Sequence, residues 1–299
     1  ITILDCIEFA DRFRCCDTAC DLAFLSMDLA AHGRVDLAER LLARYARASD
    51  DYDLFGVIDF YESYRAYVRA KIATLHARSS EPAELRAKAE AEARRHYLLA
   101  LACDRRALVP PAVVAVGGPI ASGKSTVADT LADRLAAPVV DADRTRKAML
   151  GVAHAAHLNV GAFDGPYDPR VTERVYDEMM RRADVILASG RPVVLDASFR
   201  TAALREKARA VAARHRVPFL FAECRAPERV LLERLAAREK TTSVSDGRRA
   251  IFADFLARSE PVTEVRGGEH LVIDTTRALD VVLAALAARV TAWPRGLVA

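Results

Sequence analysis

The chain has 299 residues, of which 52% are hydrophobic and 28% charged, and its 44 Lys and Arg against 41 Asp and Glu leave a formal net charge of +3. This composition indicates a globular protein of one large or two ordinary domains and excludes a disordered chain. It lacks the one-sided basicity of a dedicated DNA-binding domain, so any anion binding must be local. No apolar stretch of the sequence approaches the roughly 20 residues that span a bilayer.

The six cysteines do not indicate a disulfide framework, because such frameworks belong to much smaller secreted domains. Three of them lie close together, at positions 15, 16 and 20, without a His or a fourth Cys at zinc spacing. We therefore expect reduced, mostly buried thiols and a cytoplasmic location. The chain starts at Ile1 rather than Met, so it is also consistent with a piece of a longer protein.

A Pro-Pro pair within residues 107–112 (ALVPPA) predicts a domain boundary, because two prolines end a helix and cannot lie inside a strand. Residues 1–109 are predicted to form a mostly helical domain. Its helical patterns cover 21–31, 35–46, 53–76 and 81–103, and its one strand covers 1–4. An aromatic set at helical spacing predicts helix packing rather than a platform for base stacking: Phe60, Tyr61, Tyr64 and Tyr67.

Residues 110–299 alternate short apolar runs with helical patterns. Runs that are apolar throughout suit strands buried on both faces, and strands alternating with helices are the signature of an α/β fold. We therefore predict a five-stranded parallel sheet covered by helices, with strands at 113–116, 138–140, 193–195, 218–222 and 271–273.

Residues 118–125 (GPIASGKS) match the pattern G-x-x-x-x-G-K-[ST] in full, between a predicted strand and a predicted helix. Glycines let backbone N–H groups point at phosphate oxygens, and the helix N-terminus adds a positive partial charge. Lys124 is expected to reach the β- and γ-phosphates of ATP, and the Ser125 hydroxyl to ligate Mg²⁺. The flanking elements disfavour a chance glycine turn. The predicted nucleotide-binding residues are Gly118, Pro119, Ile120, Ala121, Ser122, Gly123, Lys124, Ser125 and Thr126.

Two aspartates that follow other predicted strands extend this hypothesis. Asp196 ends the third strand, where its carboxylate would support Mg²⁺ or, alternatively, cap a helix. Asp143 follows the second strand and is predicted to orient or deprotonate an acceptor hydroxyl, with a helix N-cap as the alternative role. The adjacent Arg144, Arg146 and Lys147 would either pair with phosphate or an acidic substrate, or lie solvated on a helix.

A basic helix predicted over 228–238, followed by a polar stretch to 247, suits a lid that closes over the phosphates. Arg234 and Arg238 would then stabilise charge on the transferred phosphoryl group, or each could be an ordinary solvated arginine. A loop is predicted over 151–170. His154 and His157 in this loop are interpreted as loop residues rather than ligands.

Residues 112–292 resemble the small P-loop kinases of the group that holds gluconate kinase, chloramphenicol phosphotransferase, zeta toxin and polynucleotide kinase. The matching segments are GGPIASGKST at 117–126, DADRTRK at 141–147 and VVLDASF at 193–199. This resemblance implies the acceptor-side role for Asp143 and the lid role for Arg234 and Arg238.

Residues 1–105 resemble the C-terminal half of an aminoglycoside-phosphotransferase-like kinase domain, through the segments around Asp5 and Asp21 and through YRAYVRAK at 64–71. The resemblance implies a metal-binding role for Asp5 and a structural role for Asp21, and both domains together resemble a bacterial fusion family. The N-lobe and the catalytic loop H-G-D-x-x-x-x-N of such kinases have no counterpart here. This half is therefore not expected to transfer phosphate.

These features predict an ATP-dependent phosphotransferase that moves the γ-phosphoryl group of Mg·ATP to a hydroxyl of a small molecule. One alternative is an ATP-binding or ATP-hydrolysing regulatory module without an acceptor. The other is a polynucleotide 5′-hydroxyl kinase, which the absence of a strongly basic face disfavours. The expected partners are ATP and a small-molecule acceptor, without a membrane; the acceptor's identity and the oligomeric state are left open.

Overall fold

A computed structural model describes residues 16–79, 82–101, 108–153, 163–238, 251–265 and 267–289. These residues divide into two compact units. The first contains residues 16–42 and the described part of 53–101, and the second contains 43–52 and the described residues from 108 onward. The predicted domain boundary at 109/110 stays a prediction. The short segment 43–52 belongs with the second unit, so the two units are not two consecutive stretches of the chain.

The first unit is helical. Among its described residues, two long helices pack through small side chains, since Ala66, Ala70, Ala73 and Ala77 form a buried stripe at helical spacing. The predicted strand at 1–4 and Asp5 lie outside the described residues, and Asp21 is exposed in the first turn of its helix. The helices of this part of the chain are α1 (Thr18–Ala31), α2 (Val35–Ser49), α3 (Ile58–Ser79) and α4 (Ala83–Leu101).

The aromatic residues of α3 do not form the predicted packing face. Phe60, Tyr64 and Tyr67 are 69%, 49% and 52% exposed, so the prediction is wrong for these three side chains. Helical spacing indicates which residues share a face but does not decide which face is buried, and here the alanine stripe takes the interior. Tyr67 instead makes an edge-to-face contact with Tyr97 of α4, with the ring centroids 6.1 Å apart.

The second unit is an α/β layer structure, and the predicted parallel five-stranded sheet with flanking helices is confirmed. The strand order is β2-β3-β1-β4-β5. Its strands are β1 (Val113–Gly117), β2 (Val139–Asp141), β3 (Val193–Asp196), β4 (Phe219–Arg225) and β5 (His270–Asp274). Its further helices are α5 (Lys124–Leu135), α6 (Ala142–Met149), α7 (Pro169–Ala188), α8 (Ala202–His215), α9 (Glu228–Arg238), α10 (Phe252–Ala257) and α11 (Leu279–Arg289).

The central strands are buried on both faces, which explains why they are apolar throughout. On one face, Val114 and Val194 pack with Leu131 of α5 and Leu286 of α11 in a single apolar cluster. Because side chains alternate along a strand, the other face presents Val113 and its neighbours to helices on the opposite side. Burial of both faces holds the strands rigidly, so their carboxyl ends are fixed relative to one another.

Those carboxyl ends bring the predicted polar residues to one edge of the sheet. In the strand register, Val116 of β1 lies beside Asp196 of β3, and Asp196 lies beside Asp141 of β2. The chain passes from β1 beyond β3 to β2 at one edge of the sheet, and it later passes from β3 beyond β1 to β4. These two connections run in opposite directions along the sheet, and the direction changes beside β1. Open α/β sheets bind ligands at such a point.

The cysteines of the described residues differ from the expectation of buried thiols. Cys224 is buried and free, whereas Cys16 is exposed and Cys20 is half-buried, because both lie at the start of α1. The prediction is therefore correct for Cys224 and wrong for Cys16. Within the part of the chain that the structure describes, no helix combines the length and apolarity that crossing a bilayer requires.

Candidate active site

The loop between β1 and α5 has the backbone conformation of a phosphate-binding loop. Gly118 and Gly123 adopt positive φ angles of 139° and 83°, and Ala121 adopts 64°. A Cβ on Gly118 would lie 2.4 Å from the Cys224 carbonyl oxygen and 2.8 Å from Ser122 Oγ, so only glycine fits. The conformation that the motif requires is therefore present.

The N-terminus of α5 carries no side-chain cap, since its N-cap residue is Gly123. The first N–H groups of the helix are consequently left for a ligand, and an uncapped helix start directly after a glycine loop favours an anion. Ser122 Oγ is also buried without a hydrogen-bond partner among the described residues. Lys124 and Ser125, the first two residues of α5, both line a cavity at the carboxyl edge of the sheet.

Asp196 lies in the same cavity and is 4% exposed. Burial raises the pKa of its carboxyl group to about 7, the nearby Asp141 charge adds to the rise, and Lys124 and a hydrogen bond with Ser125 oppose it. Its Oδ1 atom has no hydrogen-bond partner among the described residues. A buried carboxylate oxygen beside a hydroxyl and a lysine is a group arranged for a ligand, and Asp196 caps none of the helices that the structure describes.

Asp143 also lines the cavity, half-buried in the first turn of α6. The N-cap of this helix is Asp141, whose Oδ1 accepts the Arg144 N–H at 2.9 Å. The alternative that Asp143 is the cap is therefore wrong, because the helix starts two residues earlier than that role requires. The two aspartates therefore have different roles: Asp141 caps the N-terminus of α6, and Asp143 lines the cavity.

Helix α6 is partly buried. Its basic residues were expected either to pair with phosphate or an acidic substrate or to lie solvated, and their burial tests the second alternative. Arg146 and Lys147 are buried, so the expectation of a solvated basic face is wrong for both. Arg146 lies three residues after Asp143, on the same face of the helix, and lines the same cavity.

The predicted lid arginine Arg234 contacts the phosphate-binding loop from outside the cavity. Its Nη1 donates to the Ala121 carbonyl at 3.3 Å, and its Nη2 donates to the Thr275 carbonyl at 2.7 Å. Thr275 Oγ1 in turn donates to the Ser122 carbonyl at 2.7 Å, so these contacts brace the loop. The structure does not describe the side chain of Arg238 or residues 239–250, which include the predicted polar stretch to 247, so the lid stays a prediction. His154 and His157 also lie outside the described residues.

The remaining predicted nucleotide-binding residues surround this loop in different ways. Ile120 lines the cavity and packs on Leu231 and Leu235 of α9. The Pro119 carbonyl accepts the Ser122 N–H at 3.2 Å and so closes the loop. Thr126 is exposed, and its carbonyl accepts the Thr130 hydroxyl at 2.8 Å within α5. Its predicted contact with nucleotide stays a prediction.

Sequence reasoning missed the segment after β3. Phe199 has a φ of 47°, a left-handed conformation that is rare for a bulky side chain. The Tyr176 hydroxyl accepts its N–H at 2.9 Å, and Arg205 Nη1 donates to its carbonyl at 3.0 Å, so both peptide groups are held. The strained turn directs Ser198 and Arg200 to the cavity. The one available signal was an arginine four residues after the strand-ending Asp196.

The segment 43–52 contacts β2 and the start of α6. Arg47 Nη2 lies 3.6 Å from Asp141 Oδ2, and the Tyr52 hydroxyl donates to the Val139 carbonyl at 2.6 Å. Asp50 accepts two hydrogen bonds from Arg182 of α7 at 2.7 and 2.8 Å. These contacts join β2, α6 and α7, the elements that carry the polar groups beyond the phosphate-binding loop.

The strand, glycine loop and helix define this unit as a P-loop nucleotide-binding domain. The family profile described as an AAA domain matches residues 113–262, and the chain belongs to this family. The match does not include the helical half, so the resemblance of residues 1–105 to aminoglycoside phosphotransferases gains no support from it.

Curated proteins of mycobacteria are similar over a longer stretch. The uncharacterized protein Rv2004c of Mycobacterium tuberculosis and the uncharacterized protein Mb2027c of Mycobacterium bovis are both 36% identical over 239 residues, which is 79% of this chain. That stretch is 46% of either relative, so the chain spans about half the length of the curated proteins it matches.

Two solved structures are similar to part of this chain at low sequence identity. A gluconokinase from Sinorhizobium meliloti is 21% identical, with a TM-score of 0.44, over 62% of this chain and 93% of its own. The APS kinase CysC of Mycobacterium tuberculosis, in complex with AMPPNP and APS, is 20% identical, with a TM-score of 0.42, over 60% of this chain and 97% of its own. Likeness at this level concerns the fold alone.

Proposed function

We propose that the second unit is an ATP-dependent phosphotransferase that moves the γ-phosphoryl group of ATP to a hydroxyl of a small molecule. The observation that carries the proposal is a single cavity lined both by phosphate-binding residues, Lys124 and Ser125, and by the half-buried carboxylate of Asp143. A nucleotide-binding module without an acceptor has no need for a carboxylate that neither caps its helix nor belongs to the phosphate-binding loop.

The residues present fit a magnesium ion. Mg²⁺ is usually bound through one or two carboxylates together with substrate phosphates, rather than by a cage of protein ligands. The described residues accordingly contain no cluster of three or more His, Cys, Asp or Glu that could hold a metal. Ser125 and Asp196 would hold the ion, and the unpartnered Oδ1 of Asp196 is the atom available for it or for its water shell. When bound, the ion would neutralise charge on the phosphates.

The chain's own residues would act by positioning and charge stabilisation. Lys124 and the N–H groups of residues 118–125 bind the phosphates, and Asp143 orients the acceptor hydroxyl and accepts its proton. In the transfer, the acceptor oxygen forms a bond to the γ-phosphorus. The bond from that phosphorus to the β–γ bridging oxygen breaks, and ADP leaves. Arg234, which braces the loop, preserves the geometry without touching the cavity.

A screen for ATP-dependent products tests the proposal. Purified chain, Mg·ATP and a panel of hydroxyl-bearing metabolites are analysed by mass spectrometry for a mass gain of one phosphoryl group and for equimolar ADP. The proposal expects a product that requires both the acceptor and Lys124. Hydrolysis of ATP at the same rate with and without every compound would favour the regulatory module instead.

The resemblance of residues 1–105 to aminoglycoside phosphotransferases is retained as a separate proposal about the parent protein. Its test is the sequence of the full-length gene product, which should contain an N-lobe and the loop H-G-D-x-x-x-x-N before Ile1. A cytoplasmic setting, where ATP is available, is the corresponding expectation for location.

A further inference from the structure

Arg146 is a buried cation in the wall of the cavity. It is 4% exposed, and no ion pair to a carboxylate is formed by it within the described ranges. Its Nη1 donates to the Pro166 carbonyl at 2.5 Å, and its guanidinium lies 4.5 Å from the centre of the Tyr167 ring. Its Nε is buried without a hydrogen-bond partner in the same set of residues. A donor of this kind in a cavity wall is available to a ligand.

Arg200 is a second cation of the same cavity wall. Its Nη1 donates to the Arg258 carbonyl at 3.0 Å. Both guanidiniums contact the Phe163 ring, whose centre lies 4.8 Å from that of Arg200 and 4.0 Å from that of Arg258. Burial lowers the pKa of Arg200, and the charge of Arg258 contributes to the same direction. The charge of the Glu260 carboxylate opposes this fall, although no ion pair joins the two side chains where the chain is described.

Two other buried arginines of this unit form ion pairs, unlike Arg146. Arg182 pairs with Asp50 and with Glu178, and Arg205 pairs with Glu264. Buried charges are normally paired because an unpaired charge loses its hydration without recompense. Arg146, in the cavity wall, is buried without such an ion pair among the described residues.

The charged groups of the cavity fall into two parts. Asp196 interacts with Asp141, Asp143 and Lys124, whereas Arg146 and Arg200 both act on the buried phenol of Tyr176, opposing the rise in pKa that burial gives it. We call the first group, together with the loop 118–125, the phosphate part, and we call Arg146, Arg200 and Tyr176 the arginine part. Asp143 and Arg146, three residues apart on α6, connect the two.

We propose that the arginine part binds an anionic group of the acceptor, so that the substrate of this enzyme is a small hydroxyl-bearing acid: a carboxylate, a phosphate ester or a sulfate ester. Arg146 and Arg200 bind the anion, and the hydroxyl to be phosphorylated then lies at Asp143. This inference rests on the proposed function for the identity of the reaction, but the anion site can be measured without turnover.

The experiment measures, by isothermal titration calorimetry, the binding of inorganic sulfate to the chain saturated with Mg·AMPPNP. Because nucleotide fills the phosphate part, sulfate bound under these conditions must occupy another site. We expect sulfate binding, and we expect Arg146→Gln and Arg200→Gln to weaken it roughly 10–100-fold, the usual effect of losing a charge-assisted hydrogen bond. Arg214→Gln is the matched control, since Arg214 is exposed and paired with Asp184.

Two further arms separate the sources of the anion. Glycerate should compete with sulfate while glycerol, the same polyol without the charge, should not. If sulfate binds and glycerate does not displace it, the site is restricted to sulfate and phosphate esters. Arg146→Lys and Arg200→Lys, which keep the charge, should retain part of the affinity and show that the loss in the Gln variants is not misfolding.

Absence of sulfate, phosphate and glycerate binding to the nucleotide-loaded chain would overturn the inference. So would Gln variants that lose affinity for AMPPNP but not for ADP, because the arginines would then bind the γ-phosphate rather than the acceptor. Failure of the proposed function looks different: Mg·AMPPNP itself would not bind, or its binding would not depend on Lys124, whatever sulfate does.

Discussion

The phosphate part and the arginine part of the cavity are built in opposite ways. The phosphate part comes mostly from one contiguous segment, 118–125, and its geometry follows from local rules for glycine and for helix N-termini. The arginine part is assembled from α6, α7 and the turn after β3. The first therefore specifies a ligand class shared by many P-loop proteins, and the second specifies what distinguishes this one.

The largest effect is expected at the phosphate part. Lys124→Ala should weaken Mg·ATP binding at least roughly 10²-fold and remove turnover, because the cavity wall offers no other lysine beside Ser125 among the described residues. Calorimetry with AMPPNP measures it. Lys71→Ala, an exposed lysine on α3, is the control and should change nothing. Undiminished affinity in Lys124→Ala would contradict the assignment of the phosphate part.

The next effect should appear at the junction of the two parts. Asp143→Asn should keep ATP affinity while phosphoryl transfer falls roughly 10²–10⁴-fold, the usual contribution of a positioned proton acceptor. Because Asp141 is the N-cap, the change leaves the helix start intact. Asp168→Asn, at the N-cap of α7, controls for a general effect of replacing aspartate, since Asn caps about as well. Loss of ATP binding in Asp143→Asn would instead place this carboxylate at the nucleotide.

The phosphate part should also carry a pH signature. A carboxyl group whose pKa is raised by folding stabilises the folded state below its unfolded value of 3.8, and this contribution is lost as the pH rises through about 7. Between these limits, the nucleotide-free chain should lose stability relative to Asp196→Asn by a few kcal/mol, since each pKa unit corresponds to about 1.4 kcal/mol. Thermal unfolding of both proteins from pH 4 to 8 measures it; parallel curves would show that Asp196 ionises normally.

The smallest effect concerns segment 43–52, which contacts β2 and the start of α6. Tyr52→Phe removes a buried hydroxyl that donates to the Val139 carbonyl, which should cost about 1 kcal/mol of unfolding free energy. Urea denaturation measures it, with Tyr64→Phe as an exposed control that should stay within about 0.5 kcal/mol. ATP affinity should be unchanged. A larger fall in transfer rate than in ATP affinity would extend the role of segment 43–52 to positioning Asp143.

The sequence predicted what local rules determine. The strands were predicted because burial on both faces forbids polar residues, and the loop 118–125 because phosphate binding requires glycine at fixed positions. Asp196 was found because it ends a buried strand. In each of these cases the determining contacts lie within a few residues of the pattern itself.

What the sequence did not predict depends on distant contacts. Asp141 rather than Asp143 starts α6, a difference of two residues that only the end of β2 fixes. Arg200 reaches the cavity because Tyr176, far away in sequence, holds the strained turn at Phe199. The prediction that the aromatic residues of α3 are packed was wrong for the same reason, since a periodic face does not indicate which neighbour covers it.

The central claim is that one cavity holds a nucleotide in the phosphate part and an acidic acceptor in the arginine part. A crystal structure of the chain with Mg·AMPPNP and sulfate tests it most directly. The account predicts the γ-phosphate at Lys124, with the metal at Ser125 and Asp196, and a separate sulfate on Arg146 and Arg200 with Asp143 between them. A γ-phosphate bound directly by Arg146 or Arg200, or a nucleotide that leaves Lys124 without contact, would contradict it.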